Sequence, residues 1–294
     1  MTESATSHTV FATFVDHPLQ LPKAALLLES IRAFGGPLSE CNIWVFHDDR
    51  LNVSLAELKE LGTNVIQLEL PENTRNYPFA GKVTACARAE EMAGSLYKSL
   101  VWMAPDCLVL RPPHLFDLDD NADAALRPVH VRNVGSLSGE PPDGYWKGIF
   151  RAAGITDLSK NVESFIDCRI IRAFYNTHFF AVNPSRGLMS RWLQLFSELA
   201  TNRKFQKKHC NDELHRLFLH QASLSTILAS ELDKSRIRML PEEYCYPYNL
   251  HEMVPRDRKA RTLNELVCIA YENRELNPEV MTDIIVEEPL RTWL

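Results

Sequence analysis

The chain up to Leu110 alternates between short apolar segments and segments with helical spacing of apolar residues. Short runs rich in β-branched and aromatic residues are typical of buried strands, and apolar residues three and four positions apart are typical of helices. Strands joined by helical crossovers run parallel to one another. The pattern therefore predicts an α/β fold with a largely parallel sheet covered by helices on both faces. The predicted strands are 9–15, 42–47, 65–70, 99–103 and 107–110, and the predicted helices are 22–34, 54–61 and 82–96.

Capping residues mark the starts of several predicted helices. Ser54, with Glu57 three residues later, forms a capping-box pattern, and Asn183 precedes Pro184 at the start of another helix. Asp212 is predicted to begin a longer helix with one apolar stripe. The remaining predictions are a surface loop over 133–144, a basic loop over 202–209 and a buried strand over 266–271.

Composition places the chain among ordinary globular proteins and excludes some classes of function. Of its 294 residues, 45% are hydrophobic, which supports a sizeable core and excludes a wholly disordered chain. The net charge of -6 argues against general nucleic-acid binding, because that function needs an excess of basic residues. A local basic groove for a phosphate-bearing small molecule stays open.

The seven cysteines are scattered, and no two have the spacing of a zinc knuckle or a CxxC motif. Most of them lie in apolar segments, so we expect buried, reduced thiols. The N-terminus lacks the basic and apolar regions of a signal peptide, and no apolar run has the length of a membrane span. The sequence therefore predicts a soluble cytoplasmic protein without a transmembrane segment.

Acidic residues follow the predicted strands at the points where they end. Asp16, Asp48, Asp49 and Asp106 all occupy such positions. In open α/β sheets, ligands bind at the carboxyl ends of the strands. The shared placement therefore indicates a ligand site at that edge of the sheet.

The segment over 100–118, LVWMAPDCLVLRPPHLFDL, resembles the central metal-binding segment of GT-A fold glycosyltransferases and is closest to the pattern of glycosyltransferase family 8. The Asp-x-Asp motif of that family falls on Ala104-Pro105-Asp106, so only its second aspartate is present. We therefore describe the motif as degenerate.

Further segments match the same family in the expected order. Lys82 lies in YPFAGKVTA upstream of the motif, and the stretch over 174–184, FYNTHFFAVNP, matches the acceptor-side segment. His220-Gln221 matches an Asp-Gln helix, and 240–249 matches the closing turn. His178 and His220 replace a glycine and an aspartate of the family pattern.

The resemblance implies a GT-A, Rossmann-like, mostly parallel mixed sheet flanked by helices. It places a nucleotide-sugar-binding domain over 1–254, with 255–294 as a C-terminal extension packed on it. It also implies a hexosyltransferase type of enzyme, with a UDP-sugar or another nucleoside-diphosphate sugar as donor and an acceptor that the sequence leaves open.

The resemblance also implies roles for individual residues. The nucleotide-binding residues are Phe14, Val15, Asp16, Lys82 and Asp106. Asp106 is also the expected ligand of Mn2+ or Mg2+, in a weakened site. The catalytic residues are His178, as a base, and Asn176, and the residues that bind sugar or acceptor are Asn176 and Gln221. Without a metal, Lys82 and the basic loop residues Arg203, Lys204, Lys207 and Lys208 would neutralise the diphosphate.

Alternative interpretations remain at this stage. Asp16 equally suits an Asx-turn before His17, and His178 equally suits a packed strand histidine. Because Ala104 replaces a metal-binding aspartate, a catalytically inactive GT-A-fold protein that binds a ligand or partner is the main alternative. A nucleotidyltransferase is a weaker one, and the oligomeric state stays open.

Overall fold

A computed structural model describes residues 8–294 of the chain. Within that range it contains twelve strands and nine α-helices. The strands are β1 Thr9–Val15, β2 Asn42–Asp48, β3 Asn64–Leu68, β4 Ser99–Met103, β5 Cys107–Val109, β6 Ala124–Leu126, β7 Asn161–Glu163, β8 Ile170–Arg172, β9 Phe179–Val182, β10 Ile237–Met239, β11 Tyr246–Pro247 and β12 Cys268–Ala270. The helices are α1 Leu21–Phe34, α2 Ala56–Glu60, α3 Ala80–Ala93, α4 Gly144–Ala152, α5 Leu188–Thr201, α6 Arg203–His209, α7 Glu213–Leu217, α8 Leu219–Glu231 and α9 Leu290–Trp293.

The central sheet has seven strands in the order β10-β6-β9-β4-β1-β2-β3. Strand β9 runs antiparallel to both β4 and β6, and the other neighbours in this sheet are parallel. The carboxyl ends of six strands and the start of β9 therefore lie at one edge. The mostly parallel α/β, Rossmann-like architecture predicted from the sequence is confirmed.

Both faces of the sheet are covered, as the unbroken apolar run of β1 predicts. All seven residues of β1 are buried. Phe14 lies in the core cluster that includes residues of α3, α5 and α8, whereas Val15 lies in the cluster on the opposite face, with residues of α1. Because successive side chains of a strand point to opposite faces, Phe14 and Val15 at the end of β1 each pack on a different face of the sheet.

A second, three-stranded sheet has the order β11-β12-β5. Strand β5 follows β4 after a turn at Ala104–Asp106, and β12 pairs with it antiparallel. Residues of the C-terminal segment, among them Ile269 and Leu290, form a third core cluster with Leu108 of β5. The C-terminal segment is thus packed against the turn that carries Asp106.

Several local predictions are wrong in their details. Leu55 rather than Ser54 holds the cap position of α2, the Ser54 hydroxyl accepts from the Ala56 N–H at 3.4 Å, and the helix is one short turn. The predicted basic loop is the helix α6, because the Asn202 side chain accepts hydrogen bonds from the backbone of Lys204 and Phe205. The buried ring of Phe205 anchors this helix. Because the surrounding residues are mostly basic, the segment shows no repeated spacing of apolar residues that would predict a helix.

Other boundaries also shift. Asn183 caps a 3-10 turn over Pro184–Arg186, and Gly187, in the left-handed region, separates that turn from α5. The helix predicted from Asp212 is interrupted at Phe218 and forms α7 and α8. The loop predicted over 133–144 ends where Asp143 caps α4, and the predicted strand 266–271 shortens to β12.

All seven cysteines lie within the described residues and none of them forms a disulfide there; six are buried, and Cys168 is exposed. None of the helices in residues 8–294 has the combination of length and apolar composition that crossing a bilayer demands.

Gly81 lets α3 approach β1 closely, which yields a first testable prediction. A Cβ atom at this position would lie 2.3 Å from the Phe14 ring. Alanine is favoured over glycine in a helix interior by about 1 kcal/mol, yet overpacking a core costs roughly 1–3 kcal/mol. We expect Gly81→Ala to lower the free energy of unfolding in urea despite the better helix propensity. Gly139→Ala, where the new Cβ meets nothing within 4 Å, is the control and should be neutral. A stabilised Gly81→Ala variant would contradict this packing.

Candidate functional site

A cavity of about 530 Å3 opens at the carboxyl edge of the central sheet, around the ends of β1 and β4 and the start of β9. It brings together six of the eight residues that the sequence assigns to a site. Those six are Phe14, Asp16, Lys82, Asp106, His178 and Gln221.

Strand pairing explains why residues distant in the chain meet here. Met103 pairs with Phe179, and the Ala104 N–H donates to the His178 carbonyl oxygen at 2.8 Å. The Tyr271 N–H donates to the Asp106 carbonyl oxygen at 3.0 Å, which brings Glu272 beside the turn. The turn at Asp106, His178 and Glu272 therefore share one wall of the cavity.

Lys82 lies in the first turn of α3 and is only 8% exposed. Its ammonium donates to the Thr177 carbonyl oxygen and lies 5.6 Å and 5.8 Å from the ring centres of Phe79 and Trp102. Burial lowers the pKa of Lys82 from 10.5 to about 8, and the nearby Asp106 carboxylate opposes that shift. Lys82 is thus a desolvated cation whose charge is available to a ligand in the cavity.

Phe79 precedes α3 and presents its aromatic ring at the cavity. Its φ of 63° lies in the left-handed region, which is strained for a bulky side chain, and the residue is 44% exposed. The ring packs on His220, with 4.1 Å between the ring centres. Strained backbone and an exposed ring at a cavity are typical of a binding role.

His220 is a neutral support for this wall. Its Nδ1–H donates to the Leu217 carbonyl oxygen at 2.8 Å, so its Nε2 accepts from the Thr177 hydroxyl at 3.1 Å. Burial and the Lys82 ammonium hold the pKa of His220 well below its usual range. The histidine therefore adds no charge beside Lys82.

Asn176 lies behind His178 and does not line the cavity, because its side chain is buried between two histidines. Its Oδ1 accepts from the His178 backbone N–H at 2.7 Å and faces the His178 Nδ1 at 3.3 Å. Its Nδ2 consequently donates to the His130 Nε2 at 2.8 Å. Asn176 thus orients the His178 ring so that the Nε2 atom is directed away from Asn176.

Glu272 lies beside the Nε2 atom of the His178 ring. Its Oε1 lies 3.5 Å from the His178 Nε2, and the hydrogen bond to His178 lowers the pKa of Glu272. A proton taken up by the Nε2 atom would therefore be stabilised by a carboxylate. The His178 ring and the Glu272 carboxylate therefore form an interacting pair in the lining of the cavity.

Asp16 lies at the mouth of the cavity. Its backbone N–H donates to the Gln20 Oε1 at 2.8 Å, and His17, rather than Asp16, caps the following 3-10 turn. Partial burial and the neighbouring Asp48 raise the pKa of Asp16. The structure therefore places the Asp16 carboxylate at the cavity instead of in an Asx-turn.

Other residues from the sequence-based hypothesis lie elsewhere. The Val15 side chain packs in the core on the opposite face of the sheet, which leaves its backbone as the part of Val15 that a nucleotide could contact. The basic residues of α6 are exposed and are not in the lining of this cavity, so the structure does not bring them to the other predicted site residues; they are Arg203, Lys204, Lys207 and Lys208. Asp48 and Asp49 pair with Arg75, at 3.6 Å and 2.8 Å.

Glu272, Phe79 and Thr177 line the cavity although the sequence analysis did not select them. Glu272 follows a predicted strand, as Asp16 and Asp106 do, but that strand, β12, belongs to the second sheet, so the rule for parallel strands does not place it at this edge. Phe79 and Thr177 carried no comparable signal. Their exposure to the cavity depends on a left-handed backbone conformation and on the pairing of β9 with β4.

The charged side chains of the cavity determine how it could hold the expected metal ion. Among the described residues it is lined by three carboxylates, of Asp16, Asp106 and Glu272, and by the Lys82 ammonium. No group of three His, Cys, Asp or Glu side chains in residues 8–294 is arranged to hold an ion. These residues therefore do not form a site in which protein side chains alone complete the coordination shell of a metal ion. The carboxylates suit the other common mode, in which Mg2+ or Mn2+ binds one or two carboxylates and completes its shell with substrate phosphates and water.

Comparison with known proteins identifies the family. The model of the Rhodobacterales glycosyltransferase domain matches residues 12–231, which include the second half of β1, α3, the turn at Asp106 and the His178 segment. No curated protein matches the chain. Because the match covers well over half of the sequence, the chain belongs to the Rhodobacterales glycosyltransferase domain family.

Proposed function

We propose that this protein transfers a sugar from a nucleoside-diphosphate-sugar donor to an acceptor, in the manner of GT-A fold glycosyltransferases. One observation carries the proposal: a single cavity at the carboxyl edge of the sheet joins the buried Lys82 ammonium, the Asp16 and Asp106 carboxylates and His178. Family membership supports the same class of reaction.

The charges suggest how the donor lies in the cavity. The diphosphate would face Lys82, because a desolvated ammonium interacts more strongly with phosphate than a surface lysine does. The hydroxyl groups of ribose and sugar would donate to the carboxylates of Asp16 and Asp106 and contact Gln221. The rings of Phe14 and Phe79, which both line the cavity, offer apolar contact to the base or the sugar.

Asp106 would hold the divalent ion together with the donor phosphates, since Ala104 supplies no ligand. When bound, Mg2+ or Mn2+ neutralises charge that develops on the departing diphosphate. Lys82 supplies part of the same stabilisation from the protein side.

His178 is the group positioned to activate an acceptor. Asn176 accepts the hydrogen bond from the Nδ1 atom, which leaves Nε2 to take a proton from an acceptor hydroxyl. Glu272 then stabilises the protonated ring. Asn176 accordingly acts through His178, by fixing its orientation.

A protein of this fold that binds the donor without turnover is the second candidate, and Ala104 in the degenerate motif favours it. Ala104→Asp distinguishes the two cases. A gain of metal-dependent donor hydrolysis would indicate a site that has lost its activity, whereas turnover of a donor by the unaltered protein that depends on Asp106 would reject the second candidate.

Donor binding gives the principal test. Calorimetry with UDP-, GDP- and CDP-sugars should show binding of at least one donor, tighter with Mn2+ than without it. Lys82→Met should weaken that binding by about tenfold or more, because a charge-assisted hydrogen bond is lost. Asp106→Asn should remove the gain from Mn2+.

Lys204→Met is the control, because Lys204 is exposed on α6 and outside the cavity. It should leave donor binding unchanged. Absence of binding across the whole panel would refute the proposal, and a donor that binds equally well with and without Mn2+ would refute the role of Asp106.

The buried charge of Lys82 should also reduce stability, and the direction with pH follows from its pKa. Because the folded pKa is about 8 and the ordinary value is 10.5, the unfolded chain binds more protons between these values, and stability rises with pH there. Below pH 8 the buried charge lowers the free energy of unfolding by its full amount, which the difference between the two pKa values sets at about 3 kcal/mol. Lys82→Met should therefore raise the free energy of unfolding at pH 7 by about 1–3 kcal/mol, less as pH approaches 10.5.

Chemical unfolding of Lys82→Met, Lys204→Met and the unaltered protein at several pH values measures this effect. A destabilised Lys82→Met variant at pH 7, or a gain that does not depend on pH, would show that the ammonium is not desolvated.

Removal of the His178 ring should affect turnover and spare donor binding. We expect His178→Gln to lower the rate of sugar transfer to water, measured as donor hydrolysis, by about a hundredfold or more. The dissociation constant of the His178→Gln variant for the donor should stay close to that of the unaltered protein. His114→Gln, at an exposed histidine outside the cavity, is the matched control. Equal hydrolysis rates for the two variants would exclude His178 as the base.

A further inference from the structure

A second and larger cavity, of about 870 Å3, lies at the same edge of the central sheet, beyond the ends of β6 and β10. One short segment of chain contributes to both cavities: Tyr175 lines the larger one, and Thr177 and His178 line the other. His130 stands between them, with its ring centre 6.5 Å from that of Phe165 in the larger cavity and 6.5 Å from that of His178. The two cavities are therefore neighbours.

Arg127, which follows β6, is the distinctive residue of the larger cavity. It is only 8% exposed. Its Nη1 donates to the Leu240 carbonyl oxygen at 3.3 Å, and its guanidinium lies 4.8 Å from the centre of the Phe165 ring. Its Nε is buried and has no hydrogen-bond partner among the described residues. A buried donor without a partner is costly, so this guanidinium keeps unused hydrogen-bonding capacity beside the cavity that Arg127 lines.

Glu242 and Glu243 favour the charged form of Arg127 only from beyond ion-pair distance. The structure gives this arginine no ion pair within residues 8–294, whereas Arg258 in the same lining pairs with Glu163 at 2.5 Å and Glu242 at 3.7 Å. The carboxylates that line the cavity are thus already occupied by another cation. A buried guanidinium without a carboxylate is rare unless an anion binds to it.

Two lysines add to this positive charge. The Lys160 ammonium donates to the Ala229 carbonyl oxygen at 2.7 Å, which leaves its charge unpaired in the described part of the chain. Lys234 is exposed and lines the cavity without an ion pair in that same part. The cavity therefore has a cationic interior, although the net charge of the chain is -6.

We infer that the larger cavity binds an oxyanion group, a carboxylate or a phosphate, of a small molecule. Arg127 contacts the oxyanion at the floor, since a guanidinium is suited to two-point recognition of such groups. Lys160 and Lys234 flank it. The identity of that molecule rests on the proposed function: if the protein transfers a sugar, the molecule is the acceptor. Its anionic group then lies in the larger cavity, and one of its hydroxyl groups is directed towards His178.

The test compares three probes that share a hexose ring: glucose 6-phosphate, glucuronate and neutral glucose. Calorimetry with the full chain should show that at least one charged probe binds about tenfold more tightly than glucose. A preference for glucose 6-phosphate or for glucuronate then identifies the ligand group as phosphate or carboxylate.

Variants locate the binding. Arg127→Gln should weaken binding of the charged probe by about tenfold or more, and Lys234→Ala by about threefold, since its ammonium is exposed and screened. Lys234→Ala alters only an exposed side chain, so it keeps the test valid if Arg127→Gln does not fold. Lys82→Met separates the two cavities and should leave probe binding unchanged.

Equal binding of charged and neutral probes, or no binding of any, would overturn the inference. So would charged-probe binding that is lost in Lys82→Met and retained in Arg127→Gln, because the probe would then occupy the cavity proposed for the donor. If no donor of the nucleotide-sugar panel binds but binding that depends on Arg127 persists, the oxyanion site stands and the proposed function fails.

Discussion

Burial of the Lys82 ammonium is the interaction on which the account of this protein depends. The first turn of α3 packs against β1 through Gly81, and this contact holds the lysine beneath Phe79 and Trp102 with one carbonyl oxygen as its hydrogen-bond partner. Folding thus keeps a cation out of water without pairing it closely. Such a group lowers stability and gains further interaction energy when an anion binds, which is typical of a binding site and unusual for a structural lysine.

The fold was largely predictable because its signals are local. The apolar run of β1, the helical spacing before Gly35 and the aspartates after the strands are each properties of a few adjacent residues. Predictions failed where a capping bond or a single buried ring decided the structure. Asn202 and Phe205 turn a basic segment into α6, and with it the supposed phosphate-binding loop moves to the surface.

The site was predictable in part for the same reason. Residues at strand ends, such as Asp16 and Asp106, gather at one edge as soon as the strands are parallel. Glu272 reaches them through the pairing of β12 with β5, a contact between distant parts of the chain. Phe79 depends on a left-handed residue, and the orienting role of Asn176 depends on two histidines far from each other in sequence. Such tertiary relations leave no periodic trace in a single sequence.

The most direct test of the account is the titration of the Lys82 Nζ atom by nitrogen-15 NMR, with and without a nucleoside diphosphate. We expect a pKa of about 8 in the free protein. On binding of UDP, GDP or CDP, that pKa should rise by about one unit or more, because the phosphate stabilises the ammonium. A pKa near 10.5 in the free protein, or a value that no nucleotide changes, would contradict the central claim that Lys82 is a desolvated cation awaiting a phosphate.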